Sequence, residues 1–593
     1  MRPRRGALGA FIGSVLLAGQ LLVPPAVQAG HPDRPTRVLI IILDQARPDT
    51  IERYKMRNVM ALMEDGVTFP NAIVGHMAAE TVISHGVITS GRLPKNLGWS
   101  NEGHRDVDNV LGGGAGAFYV TSSMSCSQFK SLIDAGNYKK LADYLDDHFG
   151  ESSVFVSIAQ KRTAACTAGH SGFDTSATDP EDIILQIRGS GAPVQCDGVP
   201  GWRRPENGNP SATLPASLNI NDTCSRWWTW QAANAYGTGT LLPARIYNLD
   251  GNRFVPGFDP AHQGGDVWST DAAIEVVEDT GTTDWRGMLV SLGGIDKLGH
   301  MWGPEDKKKG PPGSEREMRH LPFIAKTADE QVGRLIDALE AEGILDETLV
   351  VITADHAAQT GRRFHGRFDT FTVGSNINAC DPATGTSSFA IRSDCNWYYG
   401  SESGTLADEI YLDPSPAIQQ LKDALTPEGG VTNLGFSYQD AQIAVWLNDN
   451  SAEKKEEAAE AILDLPSVIA SFHLNATQDD YDLFDTNAMT GAERSWFDQH
   501  GEELVDTMAA PYAPDVVALL KDETTYGVIG DHGGHQRLVQ RIPMIFSLSG
   551  LQSRALPHET IRLVDVLPTI LTVMDIPFNA GDMDGEAVPL PLA

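Results

Sequence analysis

Four short acidic or histidine motifs each follow an apolar run of strand-like composition, and that arrangement constrains the fold more than any other feature of the chain. Asp44 follows VLIIIL, Asp296 and His300 follow MLVSLGGI, Asp355 and His356 follow TLVVITA, and His532 closes GVIGDH. Runs of about six residues rich in Val, Ile and Leu read as strands buried on both faces, the pattern of a mainly parallel sheet. In an open α/β sheet, chemistry gathers at the carboxyl ends of the strands. Four such ends carrying Asp or His predict one site assembled from distant parts of the chain. Aspartate oxygens with imidazole nitrogens and no cysteine suit Zn²⁺, and a pair of ions suits phosphoryl transfer.

Such a site needs a nucleophile. Thr81 opens the segment TVISHGVITSG, an apolar run that starts a helix after a loop-like stretch. Free N–H groups and the positive end of the dipole at a helix N-terminus favour both an alkoxide and a bound phosphate. Taken alone, a Thr at a helix start is usually a helix cap, and an Asp after a strand is more often a turn residue or helix cap than a ligand. The set Asp44, Asp296, His300, Asp355, His356 and His532 is what carries the metal reading. His535 lies three residues past His532; His532 is the favoured ligand because it follows directly on the apolar run. His85 reads as a packing or supporting residue, His365 as a surface residue, and Lys307–Lys309 as a solvated loop.

These motifs, in this order and spacing, resemble the alkaline phosphatase superfamily, and most closely its nucleotide pyrophosphatase/phosphodiesterase-like branch. VLIIILDQARPD is similar to that branch's opening strand and D-G-x-R-P-D turn, with Gln45 in place of Gly. Thr81 to Gly98 is similar to its nucleophile segment, and DKLGH at Asp296–His300 to its D-x-x-G-H motif. TADH resembles its DHG-type motif, with Ala357 where the glycine would follow. GDHGG resembles its last histidine motif, and VDVLPTILTVMDIP its closing helix. The resemblance implies an alkaline-phosphatase-like three-layer sandwich with a mainly parallel central sheet and inserted cap segments. It implies two Zn²⁺ ions, one held by Asp44, Thr81, Asp355 and His356, the other by Asp296, His300 and His532. Thr81 would attack phosphorus and form a phospho-threonine. Ser84 stands where the branch carries Asn, whose amide contacts a phosphate oxygen, so Ser84 is the expected substrate contact.

Residues Met1–Ala29 have the form of a secretory signal: Arg2, Arg4 and Arg5, an apolar stretch from Ala7 to Val23, and Val27-Gln28-Ala29 before Gly30. Removing those three arginines moves the formal charge from −33 to −36. Such acidity argues against binding a nucleic-acid polymer or an anionic membrane surface. No later stretch reaches the roughly eighteen apolar residues of a membrane span. The six cysteines (Cys126, Cys166, Cys196, Cys224, Cys380, Cys395) are expected to form disulfides in an exported protein, with Cys380–Cys395 closing a local loop.

Residues 36–110, 285–360 and 525–593 are expected to form a discontinuous catalytic core. Residues 111–284 read as an insertion beside the site, and residues 361–524 as a second insertion or cap. Within the cap, AQIAVWL, Ala452–Leu463 and SVIASFHL read as strand, helix and strand, a small βαβ unit. In the core, Phe323 to Glu342 carries Ile324, Ala328, Val332, Leu335 and Leu339 at helical spacing.

The expected function is an exported zinc-dependent phosphodiesterase or pyrophosphatase acting on a small phosphate ester. A phosphomonoesterase or phosphonate hydrolase of the same superfamily is the alternative, and a non-catalytic zinc-containing binding protein a more distant one. A sulfatase is excluded, because Thr81-Val82-Ile83-Ser84-His85 lacks the Cys or Ser of the C/S-x-P-S-R motif.

Overall fold

The computed structural model describes residues 34–170, 182–187, 194–196, 199–203, 205–221, 227, 229–231, 247–249, 260–279, 283–302, 304, 320–359, 420–426, 430–526, 530–557 and 559–591. The Met1–Ala29 leader, Lys307–Lys309, His365 and the expected Cys380–Cys395 pair lie outside these residues, as does Cys224. The side chains of Cys196 and His300 are likewise not described.

A nine-stranded mixed sheet organises the molecule. Its spatial order is Arg554–Ala555, Val67–Thr68, Met544–Ser547, Thr348–Thr353, Arg37–Leu43, Trp285–Leu292, Val154–Ala159, Ile183–Ile187 and Pro205–Asn207. The five central strands from Thr348–Thr353 to Ile183–Ile187 run parallel. Every residue of Val38–Leu43 and of Thr348–Thr353 is buried, so both faces are covered. That double burial explains the unbroken β-branched and leucine runs, since each such side chain removed from water contributes about 1.5–3 kcal/mol. The register aligns the strand ends: Ile42 lies opposite both Ser291 and Thr353. Residues just past each end therefore meet along one edge.

The helix expected over Phe323–Glu342 spans His320–Ala341, and Ile324, Ala328, Val332, Leu335 and Leu339 are all buried, as the spacing requires. Gly343, at φ +71, follows it. The closing helix is Val566–Met574. Among the described residues, no helix is long and apolar enough to cross a membrane.

Residues 111–284 depart from the expected organisation. They supply Val154–Ala159, Ile183–Ile187 and Pro205–Asn207 to the main sheet, so part of this stretch is core rather than an insertion beside the site. Its apolar strands are separated by Gly-, Ser- and Trp-rich segments that mask their periodicity. Further strands of this region form a separate four-stranded sheet.

Within 361–524, the chain forms a five-stranded antiparallel sheet with its own apolar cluster. Gln442–Leu447, the Ala452–Leu463 helix and Val468–Leu474 match the expected strand, helix and strand. The unit is split, however. Val516–Leu520 lies between the two strands and pairs antiparallel with each.

Candidate metal and phosphoryl-transfer site

Asp44 is the first residue past Arg37–Leu43, and its N–H donates to the Leu292 carbonyl at 3.2 Å, which fixes its depth. Asp355 and His356 follow Thr348–Thr353, and Asp296 lies in the first turn of the Gly294–Trp302 helix after Trp285–Leu292. Thr81 is the first residue of the Thr81–Ser90 helix, after Glu80 in extended conformation. His532 comes to the same edge by a different route. It sits in a loop before Met544–Ser547, whose antiparallel pairing puts its leading end beside the carboxyl end of Thr348–Thr353. Residues 527–529 of its expected strand lie outside those described.

The structure brings these residues together in two overlapping groups. One is Asp44, Asp355 and His356; the other is Asp296, His356 and His532, each with its ligand atoms within 4.8 Å of one another. His356 Nε2 lies 3.7 Å from Asp44 Oδ1 and 3.4 Å from Asp355 Oδ2. The imidazoles of His356 and His532 stack with centroids 3.7 Å apart. His356 thus stands between the groups, where the resemblance implied two separate sets. His532 Nε2 is 3.6 Å from Asp296 Oδ1, whereas His535 belongs to neither group.

Thr81 Oγ1 lies 3.2 Å from His356 Nε2 and 2.9 Å from Lys161 Nζ. Lys161 is the residue that reading for metal ligands misses. It follows Val154–Ala159 by two positions and directly precedes the Arg162–Gly169 helix. Its ammonium also meets Asp44 Oδ2 at 2.7 Å and Asp296 Oδ2 at 2.8 Å. The available signal was the run VFVSIA followed by a polar pair, the same strand-then-polar pattern seen elsewhere, but ending in a cation.

Two buried carboxylates, Asp44 and Asp296, thus share one ammonium, with a third, Asp355, nearby. Burial and the repulsion of Asp355 push the Asp44 carboxyl well above its ordinary range, despite the pull of Lys161. Burial works against the Lys161 ammonium, but the attraction of Asp296, Asp44 and Asp355 outweighs it and raises its pKa. Burial also disfavours a charged Asp355, yet His356, His85 and Lys161 hold its carboxyl below the usual value. Burial holds His356 well below its ordinary pKa, leaving it a neutral nitrogen donor. Asp44 Oδ1 and Asp355 Oδ2 are buried and accept no hydrogen bond. Clustered buried carboxyl groups, oxygens without hydrogen bonds and a neutral imidazole fit a divalent cation.

Supporting contacts orient these groups. Glu80 Oε2 lies 2.8 Å from His532 Nδ1, the carboxylate–histidine arrangement common behind metal ligands. Burial opposes protonation of His532, but Glu80 and Asp296 raise its pKa well above the ordinary value. Gly533 holds φ +69, a conformation that favours glycine, and packs against the Glu80 carboxylate. His85 takes the supporting role expected of it, with Nδ1 2.9 Å from the Thr81 carbonyl and Nε2 3.1 Å from Ser291 Oγ. Ser84, the expected substrate contact, is wholly buried, and its Oγ lies 3.3 Å from His76 Nε2.

A disulfide joins Cys126 and Cys166, tying the Cys126–Gly136 helix to the Arg162–Gly169 helix that follows Lys161. At the far end of that helix, the buried Lys140 amine donates to the carbonyls of Thr167 (2.6 Å) and Ala168 (3.0 Å).

Alkaline phosphatase PhoD of Zymomonas mobilis is 23% identical over 95% of this chain and 89% of its own length. The fold is similar to that of wild-type alkaline phosphatase PafA (TM-score 0.55, 16% identity) and of a PafA variant (TM-score 0.56, 15% identity). Each comparison covers 94% of this chain and 98% of the other. The sequence pattern of the type I phosphodiesterase / nucleotide pyrophosphatase family matches residues 38–379. That match spans more than half of the chain, which therefore belongs to this family of the alkaline phosphatase superfamily and is a phosphoric ester hydrolase.

Proposed function

We propose that the protein hydrolyses small phosphate monoesters through Thr81, with two zinc ions held by Asp44, Asp355 and His356 and by Asp296 and His532. When bound, such ions supply Lewis-acid charge to the phosphoryl group. Thr81 Oγ1 attacks phosphorus, the ester oxygen leaves, and water hydrolyses the phospho-threonine. Lys161 donates a hydrogen bond to Oγ1 and stabilises negative charge on that oxygen. The N-terminus of the Thr81–Ser90 helix favours the same charge.

The observation that carries the reading is the Lys161 ammonium 2.9 Å from Thr81 Oγ1. A monoester presents up to two charges on three nonbridging oxygens, and a diester one charge on two. A cation fixed beside the nucleophile, in addition to two metal ions, favours the dianion. Similarity to two alkaline phosphatases supports the same choice. Family membership supports a second reading, the diesterase or pyrophosphatase activity expected from the sequence motifs. The leader composition of Met1–Ala29 and a disulfide support export to the periplasm or medium.

The deciding assay is steady-state hydrolysis of p-nitrophenyl phosphate against a p-nitrophenyl diester by zinc-loaded protein. A monoester preference of roughly tenfold or more in kcat/KM, about 1.4 kcal/mol of transition-state binding, supports the proposal. A diester preference of that size moves the assignment to the second reading. Turnover retained in Thr81→Ala would refute both.

A further inference from the structure

Gln45, directly after Asp44, departs from the glycine of the resembling motif and holds a backbone conformation that suits glycine, at φ +70. Residues other than Gly, Asn and Asp seldom adopt it, so something offsets the strain. The contacts of Gln45 show what. Its N–H donates to Asp355 Oδ1 at 3.2 Å. Its side-chain Nε2 donates to Asp296 Oδ1 at 3.0 Å and to the Gly530 carbonyl at 2.8 Å. Both neighbours of Nε2 are acceptors, which fixes the orientation of the amide. The other end of the amide lies over Gly299, where a Cβ would come within 1.8 Å of Gln45 Oε1. The glycine of DKLGH is therefore shaped to the side chain of Gln45.

We propose that Gln45 is a positioning residue that couples the two ligand groups, its backbone N–H orienting Asp355 and its side-chain amide orienting Asp296. Held at Oδ1 by the amide and at Oδ2 by Lys161, Asp296 keeps its carboxylate facing His532. Cation binding by the Asp296–His532 group then depends on the Gln45 amide. The proposal rests on the zinc-site reading above.

The test titrates Zn²⁺ into chelator-stripped wild type, Gln45→Gly and Gln45→Ala against a competing chelator, with thermal unfolding of the metal-free proteins as a fold control. Loss of a contact that orients a metal ligand typically lowers affinity about 10–100-fold. Both variants are expected to lose that factor for one ion and to keep the affinity for the other. Gln45→Gly is expected to lose it although glycine relaxes the backbone at φ +70, whereas a purely conformational role would leave Gln45→Gly at wild-type affinity. That last result overturns the proposal. Wild-type protein that binds no ion overturns the zinc reading, and the proposal with it. Should Gln45→Ala not fold, Gln45→Gly alone decides.

Discussion

Breaking the Cys126–Cys166 disulfide tests whether this crosslink holds the Lys161 helix in place. The bond closes a loop of 40 residues. The loss of chain entropy from the unfolded state for such a loop is about 13 cal/mol/K, or about 3.9 kcal/mol at 25 °C. Alanine is the better replacement for both cysteines, because both are buried and serine would bury hydroxyl groups without partners. The expected outcome is a lower denaturant midpoint for Cys126→Ala/Cys166→Ala, equivalent to about 2–5 kcal/mol. A reducing agent should reproduce the loss in wild type and have no effect on the variant. Circular dichroism and activity followed along the same denaturant series give the two readouts. Because Lys161 directly precedes the Arg162–Gly169 helix, activity should fall at lower denaturant than bulk secondary structure does. If wild type under reducing conditions and the variant both stay within about 1 kcal/mol of the oxidised protein, the tether contributes little and the reasoning fails.

Three further outcomes follow from individual contacts. Lys161→Ala should lower kcat/KM for a monoester by roughly 10–150-fold, the equivalent of a charged hydrogen bond, and lower it much less for a diester; equal losses would count against the dianion argument. Glu80→Gln should weaken one zinc ion by about 10–100-fold in chelator competition, and unchanged affinity would remove Glu80 from the support of His532. Burial pushes the Lys140 amine down to about 7 from 10.5, and a neutral amine can still serve both carbonyls. Between those values the unfolded chain binds more protons, so stability rises with pH by at most about 1.4 kcal/mol per unit, and the penalty is complete below about pH 7. Wild type should therefore gain on Lys140→Met in unfolding experiments from pH 7 to 10, and a flat difference would refute the shift.

The legible part of the site was the part written locally. Asp44, Asp355 and His356 each sit within two or three residues of an apolar strand, and Thr81 opens a helix, so periodicity and a polar stop sufficed to find them. His532 was found from its motif, although it enters from a loop. Lys161 is not legible in this way, because it is a cation among Asp and His ligands and its strand lies between Gly-, Ser- and Trp-rich segments. The contact of Ser84 with His76 was equally hidden, since motif position says nothing about a side chain's neighbours.

By itself the sequence determined which segments are buried strands, where each ends and which residue types stand there, because burial on two faces and strand termination are encoded over six to eight neighbouring residues. Tertiary structure alone decided the rest. The sheet places Val154–Ala159 beside Trp285–Leu292 and threads Val516–Leu520 between the two strands of the smaller unit. It brings Lys161 between Asp44 and Asp296, Gln45 onto Asp296, and Glu80 onto His532. These contacts join residues from 117 to 452 positions apart or turn on the rotamer of one side chain. Their energies come from crossover connections and shared burial, which no local window of the sequence contains.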